Sequence, residues 1–297
     1  MGYSARYHAA SLAAIFLALA IGILIGVGFG DDVVSNTSRN LEESLTGDLE
    51  AARQRADDLA AELARSEEFG ERVYPVLAGG RLTGRRVGVL ALGGLPDDLS
   101  GEIETSLQPS GARLTSVAVV REPPDLGGLA SDLKGSRFAD VDVNPDTAEA
   151  LGKAVGRQIV LGGNLVDRVR SDLLSRASGR FGDIDSLIVV RQQPELDAED
   201  RVAANNLEAG LLDGAVAAGA TGVGVEDTDT EPSSIGFFSA HDLSTVDDLD
   251  RVSGQVALIF ALLGAEGNFG TKDTADRLLP DLLTPSPRSP SGTGAGG

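Results

Sequence analysis

Cysteine is absent from all 297 residues, and methionine, histidine and lysine number only one, two and three. Without a thiol, neither a disulfide framework nor a thiolate metal site can form. The composition also suits a compartment where stray thiols would oxidise. Positive charge is short: 25 Lys and Arg stand against 45 Asp and Glu. Arg6 is the only charged residue before Asp31, so the net −20 leaves −21 on residues 31–297. A body this acidic repels nucleic acid and anionic lipid, which sets both aside as ligands. Catalytic signatures are missing too. The first strand–helix turn, "ALGGLPDDLSG", lacks the G-x-G-x-x-G spacing. No HExxH motif or nucleophile elbow occurs anywhere.

What the chain does have is one long apolar run. From Ala9 to Gly30 there are 22 residues without a charge. As a helix they span about 33 Å, close to the hydrocarbon thickness of a bilayer. A secretory signal has a shorter apolar core followed by a small-residue cleavage site. The exit here, "GVGFGDDVV", offers no clear A-x-A site, so the run reads as a retained transmembrane helix (9–30) rather than a cleaved signal. Arg6 lies before it and Asp31 and Asp32 after it. The positive-inside rule then keeps residues 1–8 cytoplasmic and puts the body outside, as a single-pass cell-membrane protein. Ala10, Ala14, Ala18, Gly22, Gly26 and Gly30 recur at every fourth position. Small residues so spaced let two lipid-embedded helices approach closely, and Ala18, Gly22 and Gly26 mark the expected crossing.

Residues 35–69 contain no Pro and one Gly. Leu45, Ala52, Leu59 and Ser66 share one heptad position, and Leu49, Ala56 and Leu63 share the other. Charged residues flank this seam, which predicts a short coiled coil. Such a coil is weak alone, but a membrane tether raises the effective concentration of two copies. The expected assembly is therefore a homodimer or higher homo-oligomer. Packing of the same helix on its own domain is the competing expectation.

From residue 73 to 270, β-rich runs alternate with helical ones, which predicts an extracytoplasmic α/β domain with a mainly parallel sheet. Strands are expected at 85–92, 113–120, 186–191, 221–226 and 235–240, and helices from Asp97 through Leu107 and over 197–219 and 249–264. Residues 121–144 carry no periodicity and read as a loop, and 145–177 as two helices split at Gly162 and Gly163. From 271 to 297 the sequence degrades into Pro, Ser and Gly, a disordered tail.

Few residues here carry chemistry. Gly93 and Gly94 read as a tight turn; with Asp97 they would also border any ligand crevice at the strand ends. Beyond the membrane segment there is one histidine, His241, beside Ser239 and Asp242. Sequence neighbours of this kind do not converge as a triad. His241 and Asp242 are the only, weak, metal candidates. Glu226, Asp227, Asp229 and Glu231, with Asp247, Asp248 and Asp250 further on, lack the Gly and distal Glu of a calcium loop and read as a solvated acidic loop. The residues thus favour a binding or scaffolding domain over an enzyme, with no cofactor.

Two passages carry a family resemblance. "YHAASLAAIFLALAIGILIG" near the start and "STVDDLDRVSGQVALIFALLG" (244–264) resemble the actinobacterial copper transport protein family. The order of parts agrees: anchor, coiled coil, α/β domain, Ser-Thr-Val-Asp-Asp-Leu-Asp segment, terminal helix. The resemblance implies a role in copper efflux or tolerance in the cell envelope, where the family is described as channel-forming. Related members are linked to cell separation and cell-wall hydrolase control. That supplies an alternative, a dimeric scaffold binding an envelope protein partner. Copper enters through this resemblance alone, because Cu(I) prefers sulfur and Cu(II) imidazole. Met1 and His8 lie at the cytoplasmic face of the span, and His241 is the single soft or borderline ligand beyond it. One helix of Ala, Gly, Leu and Ile does not make a polar pore, and the strands lack the repeating alternation of an outer-membrane barrel.

Overall fold

In a computed structural model, the structure describes residues 3–192 and 195–281. The chain divides into two compact units after Ser66. A single helix, α1 (Tyr3–Ala78), runs through that division, so the expected span and heptad segment are parts of one element. No Pro occurs before Pro75, and isolated glycines cost a helix only about 1 kcal/mol each. In the first unit the stretch Tyr7–Val27 has mean hydropathy 2.6 and is not buried by the chain.

The second unit is built on seven strands in the order β3-β2-β1-β4-β5-β6-β7. β1 (Arg86–Leu92) lies between β2 (Arg113–Val120) and β4 (Ser186–Arg191), both parallel to it. β5 (Thr221–Val225), β6 (Ser244–Val246) and β7 (Asn268–Phe269) extend the sheet in parallel. β3 (Leu174–Gly179) pairs antiparallel on the outer edge of β2. The expected mainly parallel α/β domain is the one observed. β1, β4 and β5 are almost continuously buried, as strands covered on both faces must be.

One face is covered by α2 (Asp97–Leu107), α8 (Val252–Leu262) and the last turns of α1, through Leu99, Ile103, Tyr74 and Ala78. α8 is buried from Val256 to Leu262. The other face carries α4 (Pro145–Leu161), α5 (Asn164–Leu173) and α6 (Ala198–Ala217). α4 and α6 touch backbone to backbone. A Cβ on Gly152 or Gly156 would fall 2.3 or 2.0 Å from the carbonyl oxygen of Leu207 or Leu211, and Gly210 and Gly214 face α4 just as closely.

Several sequence expectations are corrected. Residues 235–240 are not a strand but a helix, α7 (Ile235–Ala240). Its Ile235 and Phe238, three apart, both enter the core. Gly224 of β5 makes the room: a Cβ there would lie 2.3 Å from the Phe238 ring. The loop expected at 121–144 contains α3 (Leu126–Asp132), started by the Asp125 carboxylate accepting from Gly128 N at 2.9 Å. Two glycines in this short helix hide its period. The second of the two expected helices in 145–177 ends at Leu173, and the chain passes directly into β3, where pairing along the β2 edge outweighs helical pattern. Gly162 and Gly163 do separate α4 from α5. Residues 271–281, placed in the tail by composition, are held on the domain. Thr271 N donates to Asp247 at 2.7 Å and Lys272 Nζ to Glu226 at 2.6 Å. The rest of the expected tail, 282–297, lies outside the described residues.

Candidate functional site

The first crossover, β1–α2–β2, covers one face of the sheet, and the crossover β4–α6–β5 covers the other. The strand order therefore reverses between β1 and β4. At such a switch point the connections leave in opposite directions and open a crevice beyond the strand ends. Beside this point, a cavity lined by Glu122 just past β2, Arg191 at the end of β4, α6 and Phe237 encloses about 360 Å³, within the usual range of small-ligand sites.

Its charged group is Arg191, the last residue of β4, whose side chain is only 11% exposed. Nε donates to Glu208 Oε2 at 2.9 Å, and a terminal nitrogen donates to Asn205 Oδ1 at 2.8 Å, both on α6. The guanidinium also lies 4.1 Å over the Phe237 ring. These contacts hold it in one orientation. Glu208 is 2% exposed, and Glu122, just past β2, is within hydrogen-bond reach of it. Among the described residues, neither Glu122 Oε1 nor Glu208 Oε1 meets an N–H or O–H donor. A proton held by one of the two carboxyls lets them hydrogen-bond to each other. Burial first, and then the Glu208 carboxylate, push Glu122 up to about 9, so the pair keeps that proton at neutral pH. Gly93, with φ +82°, permits the close approach: a Cβ there would lie 2.5 Å from Gln192 O and 2.7 Å from Glu122 Oε2. The Gly-Gly turn thus packs against Glu122 and Gln192 without lining the crevice itself, and Asp97 is exposed in the first turn of α2.

His241 packs between α6 and Phe237. Its Nδ1 lies 2.8 Å from Asp213 Oδ1 on α6, and its ring packs edge-on against Phe237 at 4.8 Å. Asp242, which follows it, is exposed, with φ +57°. Ser239 donates to Asn268 Oδ1 at 2.9 Å, so the three neighbours do not converge. Among the described residues no three His, Cys, Asp or Glu side chains are grouped to hold a metal ion.

The acidic run is a solvated loop only in part. Glu226, Asp247 and Asp248 are buried beyond the ends of β5 and β6. Glu226 accepts from Lys272 Nζ at 2.6 Å, Ser233 Oγ at 2.7 Å and Ser234 N at 2.7 Å. Asp248 accepts from Ser253 Oγ at 2.6 Å, and burial raises it to about 6. Asp250 accepts from both Thr228 N and Thr228 Oγ1 at 2.8 Å. Asp227 faces Glu102 of α2, and burial followed by this neighbour pushes Glu102 up to about 8. These are internal partnerships that fasten loops. Asp229 and Glu231 stand outside the buried group.

Sequence reasoning missed Glu122, Arg191 and Glu208. A signal existed for two of them: Arg191 ends the buried run "SLIVVR", and Glu208 interrupts an apolar helical stripe of Leu207, Leu211 and Ala215. In the first unit, the residues expected to pair helices are exposed within the chain: Ala18 in the apolar stretch, and Leu45, Leu49, Leu59 and Leu63 along the heptad seam. Gly22 and Gly26 have open space where a Cβ would stand.

A family model described as copper transport outer membrane protein matches residues 3–280. Copper transporter MctB of Mycobacterium tuberculosis strain H37Rv is 25% identical over 311 aligned positions, covering 90% of this chain and 96% of that protein. Its Mycobacterium bovis counterpart gives the same values. A match extending from the apolar helix to the residues packed against β7 shows that this chain belongs to the copper transport outer membrane protein family.

Proposed function

We propose that this chain serves copper transport in the cell envelope as a single-pass anchored protein, moving copper outward or protecting against it. In this reading Tyr7–Val27 spans the bilayer, the residues before it stay cytoplasmic, and the α/β domain works on the other side. The observation that carries the reading is the exposed 21-residue stretch with mean hydropathy 2.6. In water its burial would be worth about 0.8 kcal/mol per methylene, so a bilayer or a partner helix is needed to cover it. The Ala18, Gly22 and Gly26 face, followed by the exposed Leu45, Leu49, Leu59 and Leu63 seam, supports pairing of two copies through α1.

The chain has no cysteine of its own, so single introduced cysteines report on it unambiguously. Ser131→Cys, at an exposed position of α3, should react with a membrane-impermeant maleimide on intact spheroplasts. Leu45→Cys should give an intermolecular disulfide in membranes. Cells lacking the chain should accumulate more copper under copper stress, and the full chain should restore the level. Copper content unchanged by the deletion would sink the transport reading. Ser131→Cys labelling only after lysis would sink the orientation, and no disulfide from Leu45→Cys or Ala52→Cys would sink the pairing.

A further inference from the structure

We propose that the crevice between Glu122 past β2, Arg191 at the end of β4 and α6 binds a small organic carboxylate, an activity separate from copper handling. The ingredients are a fixed guanidinium, a second guanidinium at the mouth and an apolar wall. Arg191 offers five N–H donors, and its named bonds to Glu208 and Asn205 engage two of them. Arg201, on the first turns of α6, lines the same cavity and is exposed. Its named partner is the Leu196 carbonyl at 2.9 Å, which again leaves most of its fork unengaged. The amide of Asn206 also borders the space, and Phe237, Leu196 and Ala209 supply the apolar surface.

Charge selects the ligand. The Glu122–Glu208 pair shares one proton and so carries a single negative charge, which Arg191 balances through its 2.9 Å bond. Arg201 stands at the mouth with most of its fork unengaged, beside Asp197 and Asp200 on the same stretch. An amine would meet two guanidiniums and a carboxyl pair already completed internally. A planar carboxylate matches the guanidinium fork in a bidentate way. The oxygens of Glu122 and Glu208 that meet no other donor are nine-tenths buried in the case of Glu208 and belong to residues lining the cavity. They fix the floor that holds Arg191 in place. With a volume of about 360 Å³, the cavity takes a carboxylate with a short chain or a single ring.

The test uses the full chain in nanodiscs, titrated by calorimetry at constant ionic strength with sodium benzoate, sodium hexanoate and benzylamine. Both carboxylates should bind saturably, and benzylamine should not. Arg201→Gln, at an exposed site, should weaken the carboxylates by about tenfold or more without changing the melting temperature. Arg191→Lys should weaken them as well, by removing the fork. Absence of saturable carboxylate binding up to about 10 mM would overturn the proposal. So would binding of benzylamine at equal strength, or carboxylate binding unchanged by Arg201→Gln.

Discussion

The backbone contact between α4 and α6 makes a sharp prediction. Replacing Gly156 by Ala puts a Cβ 2.0 Å from Leu211 O, 2.8 Å from Leu211 C and 3.0 Å from Leu211 Cα. Ordinary carbon–oxygen contacts in packed proteins lie near 3.3–3.6 Å, so the helices must part by more than about 1 Å. The obstacle is main chain, and no side-chain rotation relieves it. Parting the helices also strips packing from Leu151, Val155, Leu207 and Leu211, all fully buried around the joint. Overpacking of this kind costs about 1–3 kcal/mol, sometimes more. The gain from replacing Gly by Ala inside a helix returns about 1 kcal/mol of it. A net loss of about 1 kcal/mol, at about 2–4 °C per kcal/mol for a domain of this size, lowers Tm by about 2–4 °C. Gly101→Ala in α2 is the control. Nothing lies within 4 Å of its added Cβ, so it should raise Tm by about 2–4 °C. Scanning calorimetry on the two variants decides. A Gly156→Ala protein melting at or above the parent would refute the close-packing argument.

Stability should also fall as pH rises. Glu122 and Glu102 are pushed up to about 9 and about 8 from an ordinary 4.5, with burial as the first cause of each. A carboxyl raised on folding stabilises fully below its unfolded value and loses that contribution as pH climbs through the folded one. Asp185 and Asp140 are shifted down, so their losses come only at acid pH. Melting temperature should therefore decline from about pH 5 to about pH 9, and Glu122→Gln should flatten the decline; a slope that steepened in this variant would count against the shared proton. Lys272→Ala leaves Glu226, 2% exposed, without its cation and should cost about 3–5 kcal/mol in chemical denaturation. It should also speed proteolytic cutting near residues 270–277, and unchanged cutting would mean that this contact does not fasten the segment.

Much of the fold was legible because burial leaves a plain mark on sequence. "RRVGVLAL" and "SLIVVR" are strands covered on both faces, and no helix-period reading competes with them. The failures share a cause. "IGFFSA" is β-prone residue by residue, but the absence of a side chain at Gly224, in a different stretch, gives Phe238 a place to pack as part of a helix. β3 is a strand because β2 offers an unpaired edge, a fact located outside its own six residues. The four-residue glycine spacing is as regular in Gly152–Gly156 and Gly210–Gly214 as in Gly22–Gly26. In the apolar run it lies within an exposed stretch long enough to cross a bilayer. In α4 and α6 the same device joins two helices inside the domain.

The carboxylates show what one dimension hides. Both halves of the sheet's C-terminal edge contain buried acids and a base. At β5 and β6 the acids announce themselves as "VEDTDTEP", yet the base is Lys272, and with the chain around it Lys272 closes the group: Glu226 is met by Lys272, Ser233 and Ser234 at once. At β1 and β4 no run is visible, because Glu122, Arg191 and Glu208 come from three separate stretches. There the base is an arginine, whose fixed fork can serve a carboxylate on one edge and still present donors on another. A lysine in that position would have been consumed by Glu208 as Lys272 is by Glu226. The difference between a fastened loop and an open crevice thus rests on which cation meets the buried acid, and on a glycine at position 93 that lets Glu122 sit against the turn.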